Sequence, residues 1–169
     1  MRKSNELNQN LTIRLGTFIL IARVTEMHAH YYATVADFGR EFACSVASSM
    51  AEFIGRLDNP SNEIWTIKRD DKIPASAAID GEELGHNRAH LRWFIVDDSL
   101  KGFGLGKQLL NSALAFADAQ GFVQINLWTF SGLNAARYLY ESQGFALVEE
   151  KLGSKWGVEV LEQRFTRCL

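Results

Sequence analysis

The stretch LRWFIVDDSLKGFGLGKQLL, residues 91–110, changes character twice within twenty residues. LRWFIV is a run of β-forming residues. Glycines then stand at 102, 104 and 106, and from Gly104 to about Ala119 the apolar residues recur at helical spacing. Leu105, Leu109, Leu110, Ala113, Leu114 and Ala117 form one stripe, and Gly121 is placed to cap the end. A strand, a glycine loop and a helix in this order expose bare backbone N–H groups where the helix also presents its positive end. Lys101 and Lys107 add full charges. The loop is thus built to cradle an anion such as a phosphate, unless it is only a turn that lets a strand enter a helix. Two well-known phosphate loops are excluded. A P-loop needs Ser or Thr after its Gly-Lys, and here Lys107 is followed by Gln108. A dinucleotide fingerprint needs glycine at 107 and a place in an early βαβ unit.

Working outward, residues 1–10 (MRKSNELNQN) are polar and aperiodic and are expected to be flexible, with a single domain over 11–169. LTIRL, 11–15, alternates like a short strand, and helices are expected over Thr17 to about Tyr32 and Arg40 to about Leu57. EIWTIKRDDKIPASAAID reads as a hairpin turning at Asp70-Asp71-Lys72, and GEELGHNRAH, 81–90, as a polar turn. Beyond the glycine helix come a strand (VQINLWTF), a helix (LNAARYLYESQ) ended by Gly144, and two strands (FALVEEKL and VLEQRFTRCL). The pattern predicts an α/β (α+β) domain on a mixed sheet.

Composition narrows the function classes. At 169 residues, 47% hydrophobic and 22% charged, the chain suits a soluble domain with a substantial core. A net charge of -2 without a long basic run argues against nucleic acid. The run FILIA, 18–22, is too short to span a membrane. Cys44 and Cys168 form neither a disulfide framework nor a metal-ligand spacing, which fits a reduced cytoplasmic setting.

Lys101-Gly102-Phe103-Gly104-Leu105-Gly106 resembles the Q/R-x-x-G-x-G/A signature of the GNAT N-acetyltransferases, with lysine in the first place. LYESQGF, 139–145, is similar to that family's L-Y-E-x-x-G-F, and one helix and one strand separate the two motifs, as in the family. The resemblance covers roughly residues 89–150 and is strongest to the acetyltransferase half of bacterial MarR–GNAT fusion proteins. It implies a mixed sheet splayed between the fourth and fifth strands, LRWFIV and VQINLW, with four flanking helices. It implies acetyl-CoA as cosubstrate and no metal. Its pantetheine arm would lie along the backbone of Phe94, Ile95 and Val96, and its pyrophosphate on the amides from Gly102 to Lys107. The family's helix asparagine aligns with Leu133; Asn134, one place on and about 100° round a helix, is the remaining candidate.

Acetyl transfer to an amine needs a neutral nucleophile, a proton for the departing thiolate and both partners in line. Tyr140 matches the tyrosine that many members use as general acid, while Tyr138, on another face, is read as packing. The base is expected from the start of the LRWFIV strand: His90, whose ordinary pKa of about 6.5 suits the role, or Glu82 or Glu83 acting through water. His86 is read as an exposed turn residue. In MHAHYY, 27–32, two histidines lack a third metal ligand at a plausible spacing. Because the family's first two helices wall the acceptor site, His28, His30, Tyr31 and Tyr32 are expected to touch substrate or else to finish a helix. Trp93 and Trp128 are read as core.

The reading is an N-acetyltransferase moving acetyl from acetyl-CoA to a primary amine of a small molecule or protein, with room for a homodimer. Two rivals stand: a non-catalytic acyl-CoA-binding sensor, and a nucleotide-binding domain that would take ATP on the same loop.

Overall fold

The computed structural model describes residues 17–169. The decapeptide 1–10 and the expected LTIRL strand lie outside the described residues. Helices α1 (Thr17–Ala36) and α2 (Arg40–Ile54) come first, followed by β1 (Glu63–Arg69), β2 (Lys72–Asp80) and β3 (Arg88–Val96). After a single 3₁₀ turn at Asp98–Leu100 come α3 (Leu105–Gln120), β4 (Gln124–Phe130), α4 (Asn134–Ser142), β5 (Ala146–Gly153) and β6 (Val160–Cys168). No helix among the described residues is long and apolar enough to cross a membrane.

Four boundaries differ from the periodicity reading, each for a local reason. The expected turn over 81–90 is cut short by β3, which begins at Arg88 because Arg88 to His90 pair with β4. Nothing breaks α1 at Tyr32; it runs on to Ala36 and stops where Asp37 takes a left-handed φ of 58°. There the Phe38 amide donates to the Tyr32 carbonyl at 3.2 Å, which ties the departing chain back onto the last turn of the helix. Helix α2 gives way at Gly55 to tighter turns, in which the amides of Arg56 and Leu57 donate three residues back, to Phe53 and Ile54. The β1–β2 turn closes on two residues, Asp70 and Asp71, both with positive φ (48° and 61°), as a tight right-twisting hairpin requires.

The six strands lie in the order β1-β2-β3-β4-β6-β5, and every neighbouring pair is antiparallel except β3–β4. Helices α3 and α4 cover one face, where Leu109, Leu110, Ala113, Ile125 and Phe165 are fully buried or nearly so. Helices α1 and α2 cover the other, over Val24, Met50, Phe53 and Phe130. This is the mixed, two-faced sheet that the strand and helix pattern predicted.

The parallel pair β3–β4 holds only through Arg88, Ala89 and His90, opposite Gln124, Ile125 and Asn126. Past His90 the strands part, although β3 runs on to Val96 and stays paired with β2, and β4 stays paired with β6 to Phe130. The sheet therefore splays between LRWFIV and VQINLW, as the family resemblance implied. A bulge accompanies the parting: Ala78 pairs with Arg92, but Ser76 pairs with Ile95, so Trp93 and Phe94 share the place opposite Ala77. Trp93 takes a left-handed φ of 46°, and its carbonyl accepts the buried Ser76 hydroxyl at 2.8 Å. One extra residue reverses the phase of a strand. Ala89 and Leu91 accordingly pack on the α3 face, whereas Trp93 and Ile95 pack under α1 and α2, and Phe94 returns to the α3 face.

Candidate active site

The parted strands leave a cleft of about 340 Å³ open between the two faces of the sheet. His90, the last paired residue of β3, sits at its apex, with its ring 4.7 Å from that of Trp128 on β4. Its Nδ1 lies 2.6 Å from Glu83 Oε2. A carboxylate in that place holds the proton on Nδ1 and leaves the Nε2 lone pair as the acceptor. Burial lowers the His90 pKa below its ordinary value, against the opposing pull of Glu83. The imidazole is therefore neutral, and a proton acceptor, at physiological pH.

Glu83 is fixed through Asp80, which is fully buried. Asp80 accepts from both terminal nitrogens of Arg56 (3.1 and 2.8 Å), from Arg92 (3.2 Å) and from the amides of Glu82 and Glu83 (3.1 Å each). Burial alone would raise its pKa; the Arg56 guanidinium and the two amides outweigh that and hold it at about 2. Arg92 also reaches Glu83 (3.2 Å) and lies over the Trp93 ring, 4.0 Å from its centre. Glu82 turns away to Arg56 and Asn62 and does not line the cleft, so of the two glutamates only Glu83 stands beside His90.

Tyr140 enters the cleft from α4. Its ring is buried against Phe94, Phe145 and Phe165 (centroids 5.9, 6.1 and 6.2 Å apart). Burial pushes the phenol pKa well above its ordinary value, so the hydroxyl keeps its proton. Tyr138, read as packing, instead stands 76% exposed, because a helix turns about 100° per residue and only one of the two can face the core.

The MHAHYY cluster divides by helical period. His28 and Tyr32, four apart, share the α1 face that lines the cleft. His28 is buried and donates Nδ1–H to the Val24 carbonyl at 2.8 Å; burial, partly opposed by that bond, pulls its pKa down to about 4. His30 and Tyr31 point instead to a second hollow of about 430 Å³, which they share with Arg23, Ile95, Val96 and Asp97. Trp93 is core but also borders the cleft, and Trp128, read as sheet interior, lines its wall.

The glycine loop stands at the far end of β3, and its glycines serve two purposes. Gly102 and Gly104 take left-handed φ values of 81° and 69°, with no atom within 4 Å of where a Cβ would stand. At Gly106 a Cβ would come 3.3 Å from Val96 and 3.8 Å from Phe94, so this glycine lets α3 lie close on β3. Gly104 is the N-cap of α3 and supplies no side-chain cap, which leaves the amides of Leu105, Gly106 and Lys107 uncapped. Lys101, Phe103 and Lys107 are exposed around them, with Lys101 held to Asp98 at 2.8 Å. Asn134 opens α4 and is exposed; Leu133 before it packs under α1 and α2. Beyond His90 the β3 edge facing the gap has no strand partner. An open anion cradle joined to a free strand edge fits an extended ligand with a phosphate at one end.

Sequence reasoning missed the Glu83–His90 pairing, Asp80 beneath it, and Lys155 and Trp156 across the cleft. The hairpin offered one usable signal: Asp80 pairs with His90, so a turn held by Asp80 must bring Glu83 back beside that histidine.

A splayed mixed sheet with uncapped helix amides on one arm and a tyrosine and a histidine in the gap has the layout of an acyl-CoA-dependent transferase. The sequence pattern of the Acetyltransferase (GNAT) family matches residues 26–145, and the chain belongs to that family. Its members are acyl-CoA-dependent transferases, with acetyl-CoA as cosubstrate. Among curated proteins, the chain is similar to human N-acetyltransferase 8B, 27% identical over 95 residues. That match takes in 54% of this chain and 42% of the human protein, so the chain spans less than half the length of this relative. The fold is shared with a ribosomal-protein-alanine N-acetyltransferase from Brucella melitensis (16% identity, TM-score 0.73, covering 94% of this chain and all of that one). It is shared also with a Salmonella typhimurium protein solved with its cofactor acetyl-CoA (18% identity, TM-score 0.73, 95% and 94% covered).

Proposed function

We propose that this chain is an N-acetyltransferase that carries the acetyl group of acetyl-CoA directly to a primary amine, with His90 as general base and Tyr140 as general acid. One observation carries the reading: His90 and Tyr140, from opposite faces of the sheet, border the same cleft where β3 and β4 part. Acetyl-CoA supplies an activated acyl group on a thiol that needs a proton as it leaves. The amides from Gly102 to Lys107 hold the pyrophosphate, and the backbone of Phe94, Ile95 and Val96 aligns the arm. His90 Nε2 takes the amine proton while Glu83 steadies the ring. Tyr140 lines the gap; its hydroxyl delivers the second proton. The sensor alternative leaves the Glu83–His90 pair without a purpose, and nothing in the cleft favours it. The likeness to MarR–GNAT fusions, a bacterial and cytoplasmic setting, a single domain over 11–169 and a homodimer belong to the same proposal.

The test is a pooled screen of primary amines with acetyl-CoA and thiol detection. An accepted amine should be acetylated by wild type and at least a hundredfold more slowly by His90→Gln at neutral pH, the usual scale for a positioned base. Equal rates would remove His90 from the chemistry. Release of CoA by no amine in a broad panel, with acetyl-CoA still bound, would favour the sensor.

A further inference from the structure

The cleft has one charge that transfer chemistry leaves unused. Glu83 is matched by His90 and Arg92, and Arg92 in turn by Asp80 and Glu83. Lys155, in the β5–β6 loop, lines the same cleft, yet its ammonium has no carboxylate within ion-pair distance among the described residues. Glu162 lies nearest in chemistry, but its carboxylate accepts the Lys155 backbone amide at 3.0 Å. The Lys155 Nζ is held against two indoles, 5.4 Å from the centre of Trp128 and 5.2 Å from that of Trp156. Burial draws its pKa below the ordinary lysine value, with Glu162 acting the other way, as for an ammonium given too little counter-charge. The wall beside it is aromatic: Tyr32, Phe42, Phe130, Trp128 and Trp156.

We infer that Lys155 is a specificity residue that clamps a carboxylate on the acceptor, so that the cleft takes amines of the amino-acid class with an apolar or aromatic body. The inference rests on the cleft being the acceptor site. Each part of such a molecule has a partner in the cleft. The amine would lie toward His90 at the apex, the apolar body against the aromatic wall, and the carboxylate on the ammonium that Trp128 and Trp156 hold in place. A cation already lying against two rings, on a residue still open to solvent, loses less freedom on meeting an anion than a free lysine side chain would, which favours a gain from the pair.

The two indoles beside Lys155 make binding visible without turnover. Tryptophan fluorescence should be titrated with 3-phenylpropionate and with 3-phenylpropan-1-ol, which differ only in the anionic group. Wild type should bind the acid at least tenfold more tightly. Lys155→Met should abolish that preference while leaving the alcohol unchanged, and Lys155→Arg should keep most of it. In turnover, Lys155→Met should raise KM for amines that carry a carboxylate and leave kcat, and KM for acetyl-CoA, near wild type. Equal affinity for acid and alcohol in wild type, or a preference that survives in Lys155→Met, would overturn the assignment. A salt-sensitive acid preference that depends on Lys155, found alongside failure of every amine to be acetylated, would uphold the clamp and refute the transfer reading instead.

Discussion

The two ends of β3 solve different problems by different means. At its far end, Gly102 to Lys107 offer main-chain amides and open space, and almost no side chain enters the design. At its near end, His90 stands in a lattice of side chains (Glu83, Asp80, Arg56, Arg92) drawn from the turns after α2, from β2 and β3, and from the turn between those strands. Backbone recognition needs only a short run of the right conformations, and so is written in consecutive residues. Side-chain chemistry needs groups at chosen distances, and the fold gathers them from wherever they lie. The first end should therefore govern affinity for the donor, and the second should govern rate and proton movement.

The sharpest way to break that division is Tyr140→Phe. Removing the proton while keeping the ring should lower turnover by roughly 10²- to 10⁴-fold. Acetyl-CoA affinity, measured by calorimetry, should hardly change, since the loss lies in the transition state. A donor whose thiol leaves without a proton should recover part of the rate. Should affinity fall as far as turnover, the hydroxyl would belong to the donor end.

His28 offers the next largest effect, on stability. The folded protein keeps this ring neutral down to a pKa of about 4, while an unfolded chain titrates it at about 6.5. As pH falls below about 6.5 the unfolded state takes the proton first, so stability is lost progressively toward pH 4, by as much as roughly 3 kcal/mol. Melting curves should show this slope in wild type and a much flatter one in His28→Gln. A wild type equally stable at both ends of that range would mean that the ring is charged or hydrated in the folded protein.

Gly104→Val tests the other end of β3. It forces a β-branched residue into a left-handed conformation and puts methyl groups over the cradle. Acetyl-CoA should bind at least ~10-fold more weakly, about 1.4 kcal/mol. The pH dependence of turnover under saturating donor should stay as in wild type. A shifted pH profile would show that the two ends are not independent. Smallest of all, Glu83→Gln should move the acid limb of kcat/KM to lower pH. Burial lowers the His90 pKa, and that carboxylate is the main group opposing it; removing it leaves only the weaker pull of Asp80. An unmoved limb would place the titrating base elsewhere.

The same contrast explains what could be read in advance. The glycine loop and the LYESQGF motif are runs of consecutive residues and were legible as such, whereas the gap between LRWFIV and VQINLW was expected only from the family resemblance those motifs carry. The sheet's mixed character was legible too, because strands and helices, α2 and α3 with regular apolar stripes among them, alternate along the chain. The Glu83–His90 pair was legible only as two separate candidates, since its geometry depends on the β2–β3 register and on Asp80 beneath the turn. MHAHYY looked like one cluster, but the helix sends His28 and Tyr32 one way and His30 and Tyr31 another. The strand LRWFIV hid a change of phase, because no residue in it advertises a bulge and a tryptophan is a poor candidate for positive φ.

That tryptophan makes the cleft a wedge and not a mouth. To zip β3 onto β4 past His90, Trp93 would have to return to ordinary strand geometry. Its carbonyl would come off Ser76, and its ring would leave Phe53 and the Arg92 guanidinium. A left-handed conformation of this kind costs on the order of 1–3 kcal/mol and lasts only where its surroundings over-determine it. Here they do, through the Ser76 hydroxyl, the Phe53 ring and the Arg92 guanidinium. The slot is preorganised: an arriving ligand meets strands already apart, and none of its binding energy is diverted into separating them.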